Sequence, residues 1–239
     1  MIEELKPNEG KNLIINVSGE EEKWNGNWAR YPIKTHVITK EDKIEEIVKN
    51  YASKYLKKDD ILFISERIVA ICQGRAYPIK EIKPSLIAKI LSKFVHKSPY
   101  GIGLGSPWTM ELAIREAGIL RILIGAFFAA ITKPFGIKGI FYKIVGKNIN
   151  AIDGPCSYTL PPYNEYAKLG PKEPNKVAEK LKSILNCDVV IIDANDLGVN
   201  VLGKSSKLIP DSFCKKVFKD NPLGQTKEQT PLAIVRKIS

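Results

Sequence analysis

Short apolar runs and stripes of helical period alternate along this chain, separated by Pro, Gly, Asn and Asp. Residues 12–18 (NLIINVS) and 33–38 (IKTHVI) read as strands. Thr39, with Asp42 three positions on, has the spacing of a helix-start capping box. The stripe Ile44, Ile47, Val48, Tyr51, Ala52, Tyr55 and Leu56 predicts a helix through residue 57. Ile61-Leu62-Phe63-Ile64 is a strand, followed by a second apolar stretch, Ile68 to Cys72. Helices are predicted over 84–96, from Ser106-Pro107 to Gly118, over 174–186 and over 212–219. Strands are predicted over 140–153, 188–193 and 232–235, with a Pro/Tyr-rich loop over 156–171. There is no internal repeat and no regular βαβ period. The reading is an α+β fold (irregular mixed α/β), with mixed sheets and flanking helices.

Two of the apolar runs each deliver an aspartate. Ile149-Asn150-Ala151-Ile152 leads to Asp153, and Val189-Val190-Ile191-Ile192 leads to Asp193. Carboxylates brought together repel unless a cation lies between them, and hard divalent cations take such oxygens together with phosphate. Asp153-Gly154 and Asn195-Asp196-Leu197-Gly198 are equally good turn sequences, so the motifs alone leave both readings open. Gly101-Ile-Gly103-Leu-Gly105 ahead of Ser106-Pro107 is either a flexible connector or a loop offering backbone N–H groups to an anion. It is neither a Rossmann fingerprint nor a P-loop.

Composition narrows the class. The four cysteines (Cys72, Cys156, Cys187, Cys214) have no Cys-x-x-Cys spacing, which argues against a zinc site or a disulfide framework and fits a reducing cytoplasm. The amino terminus, Met-Ile-Glu-Glu-Leu-Lys, lacks the pattern of a signal peptide. Net charge is +11, and residues 1–31 hold six acids against four bases, so the basic excess lies downstream. The lysines are dispersed without interleaved aromatics, so no nucleic-acid partner is expected. Ile122 to Ile131 is too short a run for a membrane span, which needs about twenty apolar residues. It reads as a buried helix or strand, with a dimer interface as a second use. Trp24, Trp28 and Trp108 read as core or interface anchors, and His36 and His96 as structural, although His36 can also face phosphate.

Several motifs in order resemble the coenzyme F-420 gamma-glutamyl ligase family. They are Pro32-x-Lys34-Thr35, Asp59-Asp60-Ile61-Leu62 leading through Ile68-Val69 to Gly74-Arg75, and Asn150-x-Ile152-Asp153-Gly154. Leu160-Pro161-Pro162, Val190-Ile191-Ile192-Asp193-x-Asn195 and Gly224-Gln225-x-x-Glu228-x-x-Pro231 through Val235-Arg236 complete the series. The resemblance implies an enzyme that uses GTP and Mg2+ or Mn2+ to join L-glutamate to an acidic small-molecule acceptor through an acyl phosphate. It implies one ligase-like domain over 1–239, a homodimer, and no membrane partner. By the same resemblance the metal residues are Asp153, Asp193 and Ala194. The nucleotide residues are Pro32, Ile33, Lys34, Thr35, Glu66, Arg67, Gly224, Gln225, Thr226, Lys227, Glu228, Gln229 and Thr230. It assigns no nucleophile.

The chain departs from the family pattern in identifiable places. Ile71 stands where the family carries a lysine ahead of Gly74-Arg75, and Ala194 where it has threonine. The loop after Asp193 is altered, the segment before Gly224 is short, and residues of about 98–146 form an apolar insertion. These changes leave a second reading beside the ligase, namely a catalytically degenerate nucleotide- or partner-binding protein of the same fold.

Overall fold

In the computed structural model, residues 5–95, 103–137, 139–195 and 198–238 are described. The elements in chain order are β1 (Ile14–Val17), β2 (Gly26–Ile33), α1 (Ile44–Tyr51), β3 (Ile61–Ser65), α2 (Glu66–Cys72) and β4 (Ala76–Pro78). Then come α3 (Leu86–Leu91), α4 (Pro107–Ala117), α5 (Ile119–Thr132), α6 (Ile140–Val145), α7 (Lys147–Asn150) and β5 (Tyr166–Lys168). The chain closes with α8 (Pro174–Leu185), β6 (Asp188–Asn195), β7 (Gly198–Lys204), α9 (Asp211–Val217) and β8 (Leu232–Ile238). This is an α+β architecture. It packs as two units, Met1–Gln73 with Glu173–Ser239, and Gly74–Lys172.

The first unit is built on a six-stranded sheet in the order β1-β2-β8-β3-β6-β7. Among the described strands of this sheet, only β3 and β6 pair in parallel. Side chains alternate between the two faces of each strand, and both faces are buried. One face carries Phe63, Val190, Ile192, Ala233 and Val235 against Phe213, Val217 and Phe218. There the rings of Trp24 and Trp28 each lie 4.7 Å from that of Phe213, and Phe63 stacks on Phe218 at 4.4 Å. The other face, carrying Leu62, Ile64, Val189, Ile191, Leu232 and Ile234, is buried on the side of α2 and α8. Burial on both faces explains why β3 and β6 read as unbroken apolar runs.

The second unit gathers α3, α5, α7 and β5 around α4 and pairs α5 with α6. Its core includes Met110, Leu112, Ile122, Ile149, Ile152 and Leu169. Ser106 caps α4 as its sequence requires, accepting from the Thr109 N–H at 3.1 Å with Pro107 in the first turn. The helix ends at Gly118, whose φ of 81° suits glycine.

Four expectations change. The second strand is β2 at Gly26–Ile33 rather than 33–38, because its ladder with β8 ends where β8 begins, at the Ile33–Leu232 pair. The Thr39–Asp42 pair forms a turn, with the Asp42 carboxylate accepting from the Thr39 N–H at 2.7 Å, and α1 begins only at Ile44. Residues 140–145 and 147–150 are helical, not a strand; Ile149 and Ile152 are buried three positions apart, as helical spacing allows. The run Ile122–Ile131 is helical but mostly exposed, with Ile122 and Gly125 its buried positions. Two strands prove longer than read, β6 running to Asn195 and β8 to Ile238. His96, Gly101, Ile102, Asp196 and Leu197 lie outside the described residues.

Candidate functional site

The first unit brings the carboxyl ends of β2, β3 and β6 to one edge of the sheet. β8 runs antiparallel to both β2 and β3, so its amino end opens at the same edge. Pro32 and Ile33 close β2, and their Cα partners are Ala233 and Leu232. The Thr35 N–H donates to the Gln229 carbonyl at 2.9 Å, and the Ser65 N–H donates to the Pro231 carbonyl at 2.8 Å. Segments 32–35, 65–67 and 229–231 are therefore tied through the start of β8.

The side chains at this edge differ in exposure. Lys34 and Lys227 are exposed, Arg67 is half-buried, and Thr35 and Glu66 are buried. Gly224–Thr230 is a structured turn. Thr230 Oγ1 donates to the Leu223 carbonyl at 2.7 Å and accepts from Asn8 at 2.8 Å. The Glu228 carboxylate accepts from the Thr226 N–H at 2.7 Å and from its hydroxyl at 3.2 Å. Gly224 sits at φ +78°, and a Cβ built on it would lie 2.4 Å from Glu228 Cδ. Only glycine fits there without moving the carboxylate.

Asp193 lies inside β6 rather than beyond its end, paired with Asn200 of β7. Alternation puts Asp193 and Asn195 on one face, and cross-strand pairing adds Asn200 to it. A strand that ends at Asp193, as the apolar run suggests, leaves both asparagines off this face. Extending the strand two residues makes Asp-Ala-Asn an i, i+2 pair of oxygen donors. Ala194 points the other way, packed against the apolar cluster below the sheet. Only its backbone carbonyl could serve a metal.

Asp153 stands in the second unit, not on a strand but in an isolated bridge to Lys168. Its N–H donates to the Lys168 carbonyl at 3.1 Å, and its carbonyl accepts from the Lys168 N–H at 2.9 Å. Lys168 is itself buried, with Nζ donating to the Ala151 carbonyl at 3.0 Å. Among the described residues no group of three or more His, Cys, Asp or Glu side chains is placed to hold a metal.

Beside the Lys34–Thr35 segment, His36 Nδ1 lies 2.8 Å from the Tyr51 hydroxyl and Nε2 lies 3.1 Å from Asp42. The Thr39 backbone N–H leads the contacts that hold the Asp42 carboxyl below its ordinary value, with the Thr39 hydroxyl and His36 adding to it against slight burial. Cys72, at the end of α2, has its thiol pushed up to about 12, by burial first and then by the charges of Asp42 and Glu45. It is not an activated nucleophile.

Two of the sequence motifs prove structural. Arg236 Nε and Nη2 donate to the two carboxylate oxygens of Asp60 at 2.8 and 2.7 Å, and Nη2 also donates to the Tyr55 carbonyl at 2.9 Å. This two-pronged pair locks β8 to the turn before β3. Arg75 likewise serves its own unit, donating to the Gly170 carbonyl at 2.6 Å and to Glu116 at 2.7 Å.

The family model described as F420-0:Gamma-glutamyl ligase matches residues 32–199, well over half of the chain. The chain belongs to this family. The match starts at Pro32 and takes in the sheet-edge segments of β2, β3 and β6, both aspartates and the whole second unit, insertion included. The segment Gly224–Thr230 and β8 lie beyond the match, yet β8 sits at the centre of the sheet. No curated protein matches the chain. Among the described residues no helix is long and apolar enough to cross a membrane.

Proposed function

We propose that this chain is a nucleotide- and metal-dependent amide ligase that adds L-glutamate, or a similar amino acid, to a carboxylate-bearing acceptor of the coenzyme F420-0 type. The carrying observation is membership of the gamma-glutamyl ligase family together with the gathering of Pro32–Thr35, Glu66–Arg67, Asp193 and the 224–230 turn at one sheet edge. In this reading Lys34, Arg67 and Lys227 supply positive charge to the phosphates of GTP. Thr35 and the 224–230 backbone shape the nucleotide's seat. The acceptor carboxylate attacks the γ-phosphorus and GDP leaves, giving an acyl phosphate. The glutamate amine then attacks the acyl carbon, phosphate leaves and the amine proton is lost.

The donors around Asp193 suit Mg2+ or Mn2+. One carboxylate and two amide side chains on one face are all oxygen-bearing, and such ions are usually held by one or two carboxylates plus substrate phosphate. Asp153 enters from its sequence motif. The metal's contribution is to neutralise charge on the phosphates during transfer.

The test is a purified-protein assay with GTP or ATP, Mg2+ or Mn2+, glutamate and a panel of carboxylate acceptors, read as phosphate release and product mass. Release that requires both the acceptor and the amino acid supports the ligase. The second reading is a nucleotide-binding protein without turnover. It is favoured by Ala194, whose side chain faces the core, and by Ile71, which is buried at 3% exposure where the family has a cation. Nucleotide binding without any acceptor-dependent release would establish that reading instead.

A further inference from the structure

Helix α5 has one face packed on the protein and another that is apolar and open. Gly125 brings it against α6, where an added Cβ would lie 2.9 Å from Val145 Cγ1 and 3.2 Å from Phe141. Opposite that seam, Leu120, Ile124, Phe127 and Ile131 recur at helical spacing and are 73%, 50%, 61% and 47% exposed. Phe135 follows at 78%. The helix has 14 residues and so presents this row over about 21 Å. An exposed apolar surface of this kind marks an interaction site.

Its charge says what covers it. From residue 117 to residue 152 the sequence holds five Lys or Arg and no Asp or Glu. Of these, Arg121 on α5 and Lys133 just past its end are exposed, as is Lys143 on α6. A two-fold dimer through this face would set the patch against itself. The bases of this stretch would then meet their own copies, with no acid of residues 117–152 to answer them. An anionic lipid surface meets both features, since headgroups neutralise the cations while the aromatic and aliphatic tips enter the acyl boundary. The helix is too short to span, which excludes crossing a bilayer but not lying in its interface.

We propose that the outer row of α5 is a peripheral docking surface for anionic lipid bilayers. It does not depend on the ligase reading. The test uses the full chain in sedimentation with vesicles of phosphatidylglycerol and phosphatidylcholine, against phosphatidylcholine alone. Wild-type protein sediments with the anionic vesicles and not with the neutral ones. The double variant Ile124→Gln, Phe127→Gln, at exposed positions, keeps its circular dichroism and loses at least tenfold in binding. Arg121→Gln and Lys133→Gln each weaken binding about fivefold, the equivalent of about 1 kcal/mol per base near the membrane. The proposal is overturned if anionic vesicles do not bind. It is overturned too if binding ignores the apolar double variant, which would make it charge alone. It is equally overturned if that variant turns a lipid-free dimer into a monomer in light scattering while vesicle binding is absent, which would assign the face to a second copy.

Discussion

Replacing Gly224 by alanine tests how the closing turn is held, and the cost can be worked from its neighbours. A φ of +78° costs a non-glycine residue about 1–2 kcal/mol. The new Cβ also falls 2.4 Å from Glu228 Cδ and 2.7 Å from Oε1, so the carboxylate must swing away. That forfeits its two hydrogen bonds to Thr226, worth together about 1 kcal/mol at this partly exposed turn. Gly224→Ala should therefore destabilise by about 2–3 kcal/mol. Glu228→Ala alone, which deletes the same two bonds without strain, should cost about 1 kcal/mol. In the double variant the clash has no partner and the bonds are already gone, so its cost should equal that of Gly224→Ala. Denaturant unfolding of the four proteins gives the coupling, expected at about −1 kcal/mol. Additive costs would refute the claim that the Cβ displaces the carboxylate. Nucleotide titration of the same proteins shows whether the turn shapes the nucleotide seat. All three variants lacking the Glu228–Thr226 bonds should bind GTP more weakly than wild type by a common factor.

Further outcomes follow from the same contacts. Asp193→Asn should remove the Mg2+-dependent part of GTP binding in calorimetry while leaving the unfolding midpoint within about 1 °C of wild type, since the change is nearly isosteric; unchanged metal dependence would remove Asp193 from the metal proposal. Asp60→Ala should cost about 3–5 kcal/mol in denaturant unfolding, because it strands the Arg236 guanidinium that its carboxylate now holds with two hydrogen bonds. Burial pushes the Asp220 carboxyl up, but the hydrogen bond and charge of the fully buried Arg30 outweigh it and hold it below its ordinary value. Its contribution is thus present above the unfolded carboxyl's value of about 3.9 and is lost as pH falls further; stability measured against pH should drop less steeply there in Asp220→Asn. The thiols of Cys72, Cys187 and Cys214 are each pushed up to about 12, chiefly by burial. Native protein at a pH of about 8 should therefore take iodoacetamide at these three only on unfolding, by mass spectrometry.

What the sequence made legible was whatever one short window decides. β3 and β6 are continuous apolar runs because both faces of the sheet are covered, and α4 carries its start and stop in Ser106-Pro107 and Gly118. β2 was hidden for the opposite reason. Its centre holds Arg30, a residue that reads as surface, yet it is fully buried because Asp220 answers its charge from 190 positions away. No local pattern contains that partner. The segment 149–152 failed through ambiguity of period, since two isoleucines three apart suit a helix turn as well as a short buried run. The apolar run of α5 suggests burial because apolar residues are usually inside, whereas its outer row is exposed. At the candidate site the residue types were legible from motifs. Their roles were not, because Asp60 and Arg236 sit in motifs of the same kind and turn out to hold strands together.

The placement of β8 decides how the separate motifs act together. β2 and β3 do not pair with each other, and each pairs with β8, which lies between them. The carbonyls of Gln229 and Pro231, just before this strand, receive the N–H groups of Thr35 and Ser65 on either side. The sheet edge that carries Lys34, Thr35, Glu66 and Arg67 is thus closed only when the last segment of the sequence is inserted. Asp60 fastens that insertion through Arg236, whose guanidinium also reaches the Tyr55 carbonyl. A change far from any proposed ligand, at Asp60 or Arg236, therefore acts on the spacing between the 32–35 and 65–67 segments. Mutations at the two kinds of motif should separate accordingly. Those at Asp193 alter ligand binding at constant stability, while those at Asp60 lower stability and nucleotide affinity together.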